Sequence, residues 1–489
     1  MVKKAWLTLQ VLVLLLTSCK VGPNYHPPYV DVPEEYHFEE ANAVDSLDLE
    51  WWKQFEDPIL EGLIIEALAN NQEIKVAAAN VGIAIGLLIQ TRAPLFPQLG
   101  YNSSVSRMRT SETLTPAIPL PIALPNPQTV WQAVGTASWQ IDLWGRIRRL
   151  VEAAEANVKA TYEARQNAIL AVVTSVADSY IQLRGLDEQL EIAIRTMNSY
   201  GDAVKYFELQ HKYGQVSQIE VAQAKTQYEI AASQIPQIKI SIVQTENALC
   251  VLLGRNPGPI ARGKSIYDLH MPDVPAGLPS ELLRQRPDIM QAEQNLIAAN
   301  ANIGAAIALY FPSVSLTGYY GGASAHLSQL FSGPSNTWNF VGSVTGPIFT
   351  AGAIYGQVMQ AEEAEQATLF NYQLTIQKAF ADVEDSLVAH SMLKEELASQ
   401  ERLVEAAGDY QRLAMLQYKG GYAPYFVVIQ AQEQYFPAEL SLAQTRASLF
   451  TSLVNIYRAM GGGWVELADA RTNSCFPQDL EEKAPLSFP

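Results

Sequence analysis

Three cysteines and six histidines are the side chains of this 489-residue chain best suited to nucleophilic, redox or metal chemistry. The cysteines are Cys19, Cys250 and Cys475, and their spacing matches neither a metal site nor a disulfide framework. No histidine lies three or four residues from another histidine or from a cysteine, the spacing that places two zinc ligands on one helix face. We therefore expect no metal site and no cofactor.

Catalytic motifs are also missing from the sequence. It contains no G-x-S-x-G nucleophile turn, no phosphate-binding P-loop, no H-E-x-x-H and no C-x-x-C. The carboxylates Glu362, Glu363 and Glu365 are most simply a solvated helix face. The sequence therefore predicts a protein that is not an enzyme and has no catalytic residues.

The thiol of Cys19 is the one reactive group with a clear use. Lys3 and Lys4 precede a short apolar run, Leu7 to Leu16, and Cys19 directly follows Leu-Thr-Ser. A basic start, a short apolar run and small residues before a cleavage point are typical of a secretory signal. The segment resembles the bacterial lipobox, which implies a signal peptide at 1–18 and acylation of Cys19; the alternative is an incidental or buried cysteine.

The surroundings of Cys19 and the overall charge indicate where the chain works. By resemblance to bacterial lipoproteins, Lys20 in place of an aspartate predicts delivery to the outer membrane. Several acyl chains on one cysteine form a firm anchor, since each buried methylene contributes about 0.8 kcal/mol. The formal net charge of −17 argues against nucleic acid as a partner. No run of eighteen apolar residues follows the N-terminus, so no membrane-spanning helix is expected.

The body of the chain is an internal duplication. Residues at one constant offset match in type: Trp131 and Trp338, Gly135 and Gly342, Gly145 and Gly352, Gly214 and Gly421, Tyr228 and Tyr435, Gly254 and Gly461. Phe96-Pro97 and Phe311-Pro312 match at a slightly larger offset. The repeats lie near 57–254 and 287–463.

Each repeat predicts the same order of elements. An Ala-rich helix (about 58–93 and 287–309) ends at proline, and two alternating segments follow it, at about 98–107 and 129–141, then at 313–321 and 337–347. Their length and period are those of membrane β-strands. Taken alone, each pair could equally be a soluble hairpin packed on helices.

A very long helix follows the strands. Residues 146–213 contain no proline and place apolar residues in alternating steps of three and four, the coiled-coil period. Such a helix is roughly 100 Å long, which suits a tube or stalk. Gly214 marks the chain reversal in the first repeat, and Gly420, Gly421 and Pro424 mark it in the second.

Four candidate strands cannot close a barrel around a useful pore. An open sheet edge in lipid leaves backbone N–H and C=O groups unpaired, at several kcal/mol each. Several chains must therefore share one barrel. Three copies supply twelve strands, an even number within the range of outer-membrane barrels.

The chain resembles the lipoprotein branch of the TolC-like outer-membrane efflux channels, the OprM/NodT type. The resemblance runs in family order from about 19 to 464. Its motifs are Cys19-Lys-Val-Gly-Pro-Asn-Tyr25, Trp51-Trp52-Lys-Gln-Phe-Glu-Asp57-Pro58, Asp142-Leu143-Trp144-Gly145-Arg146, Gly277-Leu278-Pro279-Ser280, Arg286-Pro287-Asp288-Ile289 and Gly461-Gly462-Gly463-Trp464.

The resemblance implies an α+β membrane protein. It would be a homotrimer in which four strands from each chain form a twelve-stranded β-barrel, and antiparallel helical hairpins form a periplasmic α-barrel. The expected segments are a signal peptide at 1–18, a lipid-anchored segment at 19–56, repeat 1 at 57–254, an equatorial connection at 255–286, repeat 2 at 287–464 and a tail at 465–489. A periplasmic adaptor and an inner-membrane pump of the resistance-nodulation-division or a similar type would be the partners.

The second hairpin tip is the periplasmic gate by the same resemblance. The family pattern is Tyr-x-x-Gly, then Leu, then Asp four residues later before Ala-Gln. Here Tyr418 and Gly421 match, but Phe426 replaces the leucine and Gln430 the aspartate. We therefore predict a gate held more by Phe426 than by charge; strong cation selectivity lost in Gln430→Ala would contradict this. The alternative is that both are coiled-coil packing positions. Glu220 in the first tip is expected to bond across to Tyr418.

Three functions remain open from the sequence. The first is an exit duct for small molecules, which the lipobox favours. The second is a duct for protein (type I) secretion, whose family members usually lack the lipid anchor. The third is a pore-less periplasmic stalk, against which the four alternating segments argue. The transported substrate cannot be identified from the sequence.

Overall fold

The computed structural model describes residues 20–33, 50–111, 126–271, 274, 283–462 and 464–472. The predicted signal peptide (1–18) and lipidation residue Cys19 lie outside these ranges, as does the chain after 472.

Two rounds of the same element order make up the chain. The helices are α1 Pro58–Asn70, α2 Gln72–Arg92, α3 Arg146–Lys212, α4 Gln218–Leu252, α5 Pro287–Ile307, α6 Ala353–Lys419, α7 Tyr425–Met460 and α8 Trp464–Arg471. The strands are β1 Gln98–Met108, β2 Gln128–Ile141, β3 Ser313–Ser324 and β4 Asn336–Thr345. The predicted fold class, long helical hairpins combined with four strands and an internal duplication, is confirmed.

The four strands form one antiparallel sheet in the order β1-β2-β3-β4. Gln98 pairs with Ser138 in the first hairpin, and Ser313 with Thr345 in the second. Between the hairpins, β2 pairs with β3 from Trp131↔Ser324 to Ile141↔Val314. β4 ends at Thr345, short of the predicted 347, where Pro347 has no N–H for the ladder.

The chain divides into two compact units. The first comprises residues 1–28, 82–159 and 293–371, and it contains the sheet. Its helical part packs α3 on α5 through the small side chains of Ala153, Ala156, Ala298 and Ala301. Alanine at each position lets the two helix backbones approach closely.

The second unit comprises residues 29–81, 160–292 and 372–489. An aromatic cluster forms part of its core: Trp51 stacks on Tyr457 at 5.1 Å, and Trp464 meets the edges of Trp51 and Trp52 at 5.9 and 5.8 Å. All four side chains are fully buried or nearly so. Trp51 and Trp52, far from Trp464 in the sequence, therefore pack against it in this core.

The first helical stretch differs from the prediction. One helix was expected over 58–93, but Asn71 divides it, because its side chain accepts hydrogen bonds from the backbone N–H groups of Glu73 (2.8 Å) and Ile74 (3.1 Å) and so begins a new helix. By length and composition alone, residues 58–95 could cross a membrane. Charged residues such as Glu61 and Glu66 interrupt the apolar runs, so a count of consecutive apolar residues does not detect this stretch.

Candidate gate and anchor sites

The tips of the two helical hairpins are tight turns built from the predicted residues. Gly214 and Gly421 have φ values of +72° and +76°, a backbone conformation that glycine adopts without a steric penalty. The hydroxyl of Ser217 caps α4 by accepting from the backbone N–H of Ile219 at 3.1 Å. Pro424 is the N-cap residue of α7, with φ −69°. Each tip therefore has a turn whose geometry the local sequence fixes.

Three aromatic rings join the two tips within one chain. The centroid of the Phe207 ring in α3 lies 4.3 Å from that of Tyr425 and 5.9 Å from that of Tyr418. The two tyrosine rings are 5.4 Å apart. Val221 and Val428 are buried in the same cluster. Tyr418, predicted as a gate residue, thus also holds the second tip against the first.

Phe426 and Gln430 lie on a different face of α7. The side chain of Phe426 is 54 % exposed, and Gln430, one helical turn later, is exposed as well. The buried positions of this segment include Tyr425, Val428 and Ile429. Within the single chain, therefore, neither Phe426 nor Gln430 is a packing position. Glu433 is also exposed and continues the same face.

The electrostatics of the tips differ from the expectation in one respect. Glu220 does not bond across to Tyr418: its carboxylate accepts a hydrogen bond from the hydroxyl of Ser217, three residues away on the same tip. This bond is the main cause that lowers the pKa of Glu220. Burial raises the pKa of Tyr425 to about 12, so the aromatic cluster carries no charge near neutral pH.

Residues 20–25, which we call the N-terminal strap, are held against the start of α3. The guanidinium of Arg149, with its side chain 1 % exposed, donates to the carbonyl oxygens of Val21 and Gly22, each at 3.1 Å, and to the side-chain oxygen of Asn24 at 2.9 Å. The backbone N–H of Val21 donates to the carbonyl oxygen of Trp144 at 3.2 Å. The segment that directly follows Cys19 is therefore fixed at the end of β2.

Glycine at two positions makes this contact possible. A Cβ atom at Gly304 of α5 would lie 2.6 Å from the carbonyl oxygen of Val21 and 2.8 Å from Nε of Arg149. A Cβ atom at Gly22 would lie 2.4 Å from Cα of Gly304. Any side chain at either position would displace the strap from Arg149.

Neither site holds a metal-binding group. Within residues 20–33, 50–111, 126–271, 274, 283–462 and 464–472, no cluster of three His, Cys, Asp or Glu side chains could bind an ion. The tips and the strap consist instead of packed rings, turns and backbone hydrogen bonds.

Comparison with protein-family models gives a match to "Outer membrane efflux protein" over residues 63–255 and 278–462. These two segments cover most of the chain. The chain belongs to the outer membrane efflux protein family. It is an outer-membrane component of an efflux system.

Relatives and solved structures of this family match over nearly their whole length. The chain is similar to "Probable efflux pump outer membrane protein TtgC" of Pseudomonas putida, with 34 % identity over 95 % of this chain and 96 % of that protein. It is 33 % identical to "Cation efflux system protein CusC" of Escherichia coli, over 92 % and 97 %. The open-state MtrE outer membrane channel of Neisseria gonorrhoeae matches with a TM-score of 0.82 and 30 % identity, over 91 % and 98 %.

Some residues that build these sites of the efflux protein are not evident from its sequence. In the sequence, Phe207 does not differ from the other apolar coiled-coil positions of 146–213, and Tyr425 is not distinguished from its neighbour Phe426. A signal for Tyr425 exists, because it begins the apolar pattern that continues at Val428 and Ile429. Arg149 has no such signal, since its strap partners lie more than a hundred positions away.

Proposed function

We propose that the chain is the passive exit duct of a tripartite efflux system, and that it works as a homotrimer without catalytic activity. The observation that carries this proposal is the four-stranded sheet with two unpaired edges, β1 and β4. Such a sheet is stable in lipid only if other chains complete it into a closed barrel. Three copies supply the twelve strands of a barrel wide enough for a channel.

The anchor and the tunnel involve different elements of the chain. Acyl chains on Cys19 hold the chain in the outer membrane, and the N-terminal strap places them beside the end of β2, where the sheet meets the helices. The helical hairpins extend into the periplasm as the wall of the tunnel. The fixed position of Val21 and Gly22 on Arg149 supports this arrangement.

The gate lies at the second hairpin tip. Tyr418 and Tyr425 fix that tip to the first one, which leaves Phe426 and Gln430 on an exposed face. In a trimer, three Phe426 side chains narrow the tunnel as an apolar ring, and Gln430 adds no charge to the mouth. An apolar constriction closes a pore by excluding water, so we expect closure to depend on Phe426 more than on the residue at position 430.

The cargo is a small molecule that an inner-membrane pump selects. Relatives of nearly equal similarity are named for toluene and antibiotic efflux, at 34 % identity, and for cation efflux, at 33 %. The outer-membrane duct therefore does not determine the substrate class. A periplasmic adaptor and a pump of the resistance-nodulation-division or a similar type complete the system.

Cross-linking in cells tests this assignment. Ser217→Cys places a thiol on the first tip, where a bound adaptor can be trapped and identified. Ser399→Cys is the matched control, because it is exposed on α6 about 30 Å along the helix from the second tip. We expect capture of a proton-driven pump's adaptor at Ser217→Cys and little at the control. An adaptor of an ATP-driven protein exporter would contradict the proposed cargo, and correct trimers with no partner would favour a pore-less stalk.

A further inference from the structure

Each edge strand of the sheet, β1 and β4, pairs on one side only among the described residues. Every residue of β1 is exposed, and so are eight of the ten residues of β4. The outward row of backbone N–H and C=O groups on each edge can bind another strand. If the chain is the shared barrel proposed above, β4 of one copy must meet β1 of the next, and the register of that pairing remains to be determined.

The internal duplication extends to the register of the two hairpins. In the first, Gln98 pairs with Ser138; in the second, Ser313 pairs with Thr345. Advancing β1 by 215 positions (98 to 313) and β2 by 207 positions (138 to 345) converts the first pairing into the second. The same two offsets relate Phe96 to Phe311 and Trp131 to Trp338 in the sequence. The two hairpins are therefore equivalent residue by residue.

The ladder between β2 and β3 joins the first hairpin to the second. In a closed ring of identical chains, the ladder between β4 of one copy and β1 of the next is the equivalent contact, because it also joins a second hairpin to a first hairpin. Thr136 pairs with Tyr319 and Ile141 with Val314 inside the chain. Under the two offsets, Thr136 corresponds to Ser343 and Tyr319 to Ser104, while Ile141 corresponds to Ile348 and Val314 to Leu99.

We propose that β4 pairs antiparallel with β1 of a second copy of this chain in the register that places Ser343 opposite Ser104 of the partner subunit. The same register places Ile348 opposite Leu99 of the partner subunit. This inference rests on the proposed trimeric channel and adds the interface residues to it.

The exposure of the apolar residues supports this register. Ile348, just past the end of β4, is fully exposed in the single chain, and Leu99 is 82 % exposed. Pairing the two covers both, as the contact between Ile141 and Val314 covers their counterparts inside the chain. A register shifted by one residue would place Ile348 and the partner's Leu99 on opposite faces of the sheet.

Disulfide trapping tests the register. The variant Ser104→Cys/Ser343→Cys is made in a chain that carries Cys250→Ser and Cys475→Ser and retains Cys19. Within one chain the two positions are at least three strand spacings apart, roughly 14 Å across the sheet, and they are also several residues apart along the strands, so only a bond between copies can form. Two control pairs keep Ser343→Cys and use Ser103→Cys, one residue away on the other face, or Ser106→Cys, two residues away on the same face.

We expect a mild thiol oxidant to convert the Ser104/Ser343 pair into covalent dimers and trimers with about a tenfold excess over either control, because a two-residue shift separates the Cα atoms beyond disulfide reach. Equal or stronger cross-linking in a control would overturn the proposed register. Trimers that conduct ions but form no cross-link would also overturn the register, although they would still support the channel assignment. Absence of both trimers and conductance would overturn the channel assignment as well.

Discussion

Phe426 is the residue on which the proposed gate depends most. Its side chain is more than half exposed and does not belong to the buried tip cluster. We expect Phe426→Ala to widen the closed tunnel, because a methyl group cannot fill the space of three phenyl rings in a trimer. The measurement is entry of a large antibiotic that intact outer membrane excludes, in cells producing the variant. Sensitivity should rise several-fold.

Tyr422→Ala is the matched control for Phe426→Ala. Tyr422 is 89 % exposed and also belongs to the second tip, but it lies in the turn before α7 begins. The Tyr422→Ala variant should leave antibiotic entry unchanged. Equal sensitisation by both variants, with normal trimer levels, would show that general loosening of the tip opens the channel and that no Phe426 ring exists.

Asp178, in α3, makes the stability of the folded protein depend on pH. One of its carboxyl oxygens is buried and has no hydrogen-bond partner among the described residues. Burial raises its pKa to about 7, while Arg458 acts in the opposite direction. The unfolded chain ionises this group at its ordinary pKa, near 3.8. The carboxyl therefore stabilises the folded state relatively most below about pH 4, and this contribution is lost as the pH rises toward 7.

Asp178→Asn removes this penalty at alkaline pH. We expect it to stabilise the protein by on the order of 2 kcal/mol at pH 8 and by little at pH 4. The measurement is the apparent melting temperature in detergent at both pH values. Asp202→Asn is the control, because Asp202 is exposed on the same helix and pairs with Lys205. A destabilised Asp178→Asn variant at pH 8 would show that the charged carboxylate has a partner in the assembled protein.

At the scale of elements, the strap fixes the segment that follows the proposed lipidation residue Cys19 against the start of α3. Arg149→Ala removes the three hydrogen bonds from this charged donor to the strap, each contributing on the order of 1.5 kcal/mol. We expect the strap to detach more often and trypsin to cleave after Lys20 at least about tenfold faster. Mass spectrometry of the N-terminus measures the rate.

Arg146→Ala is the control for the strap experiment. Arg146 begins the same helix three residues earlier and is exposed. It should not change cleavage after Lys20. If the two variants behaved alike, the strap would be held by the backbone contact to Trp144 and by the glycine packing, not by Arg149.

The elements also show what a single sequence can and cannot predict. Proline-free periodicity over 146–213 predicts α3, which spans Arg146–Lys212, because local propensity and one apolar face determine a long helix. The tip turns follow from glycine and proline. The division of the first helix at Asn71 was not predicted, because its cap depends on a side-chain conformation that periodicity does not encode. The strand register and the Arg149 contacts were not predicted either, because they join residues that are distant in sequence.

At the scale of the whole molecule, the open sheet is the feature that demands an assembly. A soluble hairpin would bury one face of its sheet, but β1 is exposed along its entire length and β4 along most of its length. The exposed aliphatic and aromatic residues beside the strands, such as Ile348 and Phe349, also need an apolar surface to cover them. Lipid on one side and partner strands at both edges satisfy it, and the closed barrel that results is a pore.

The central claim is that the assembled protein conducts. The most direct measurement is electrical recording from purified trimers in a planar lipid bilayer, with Phe426→Ala included so that a closed gate is not mistaken for the lack of a pore. We predict discrete, long-lived current steps that are larger or more frequent in Phe426→Ala. Trimers that insert but carry no current, even as Phe426→Ala, would contradict the account and identify the chain as a pore-less stalk.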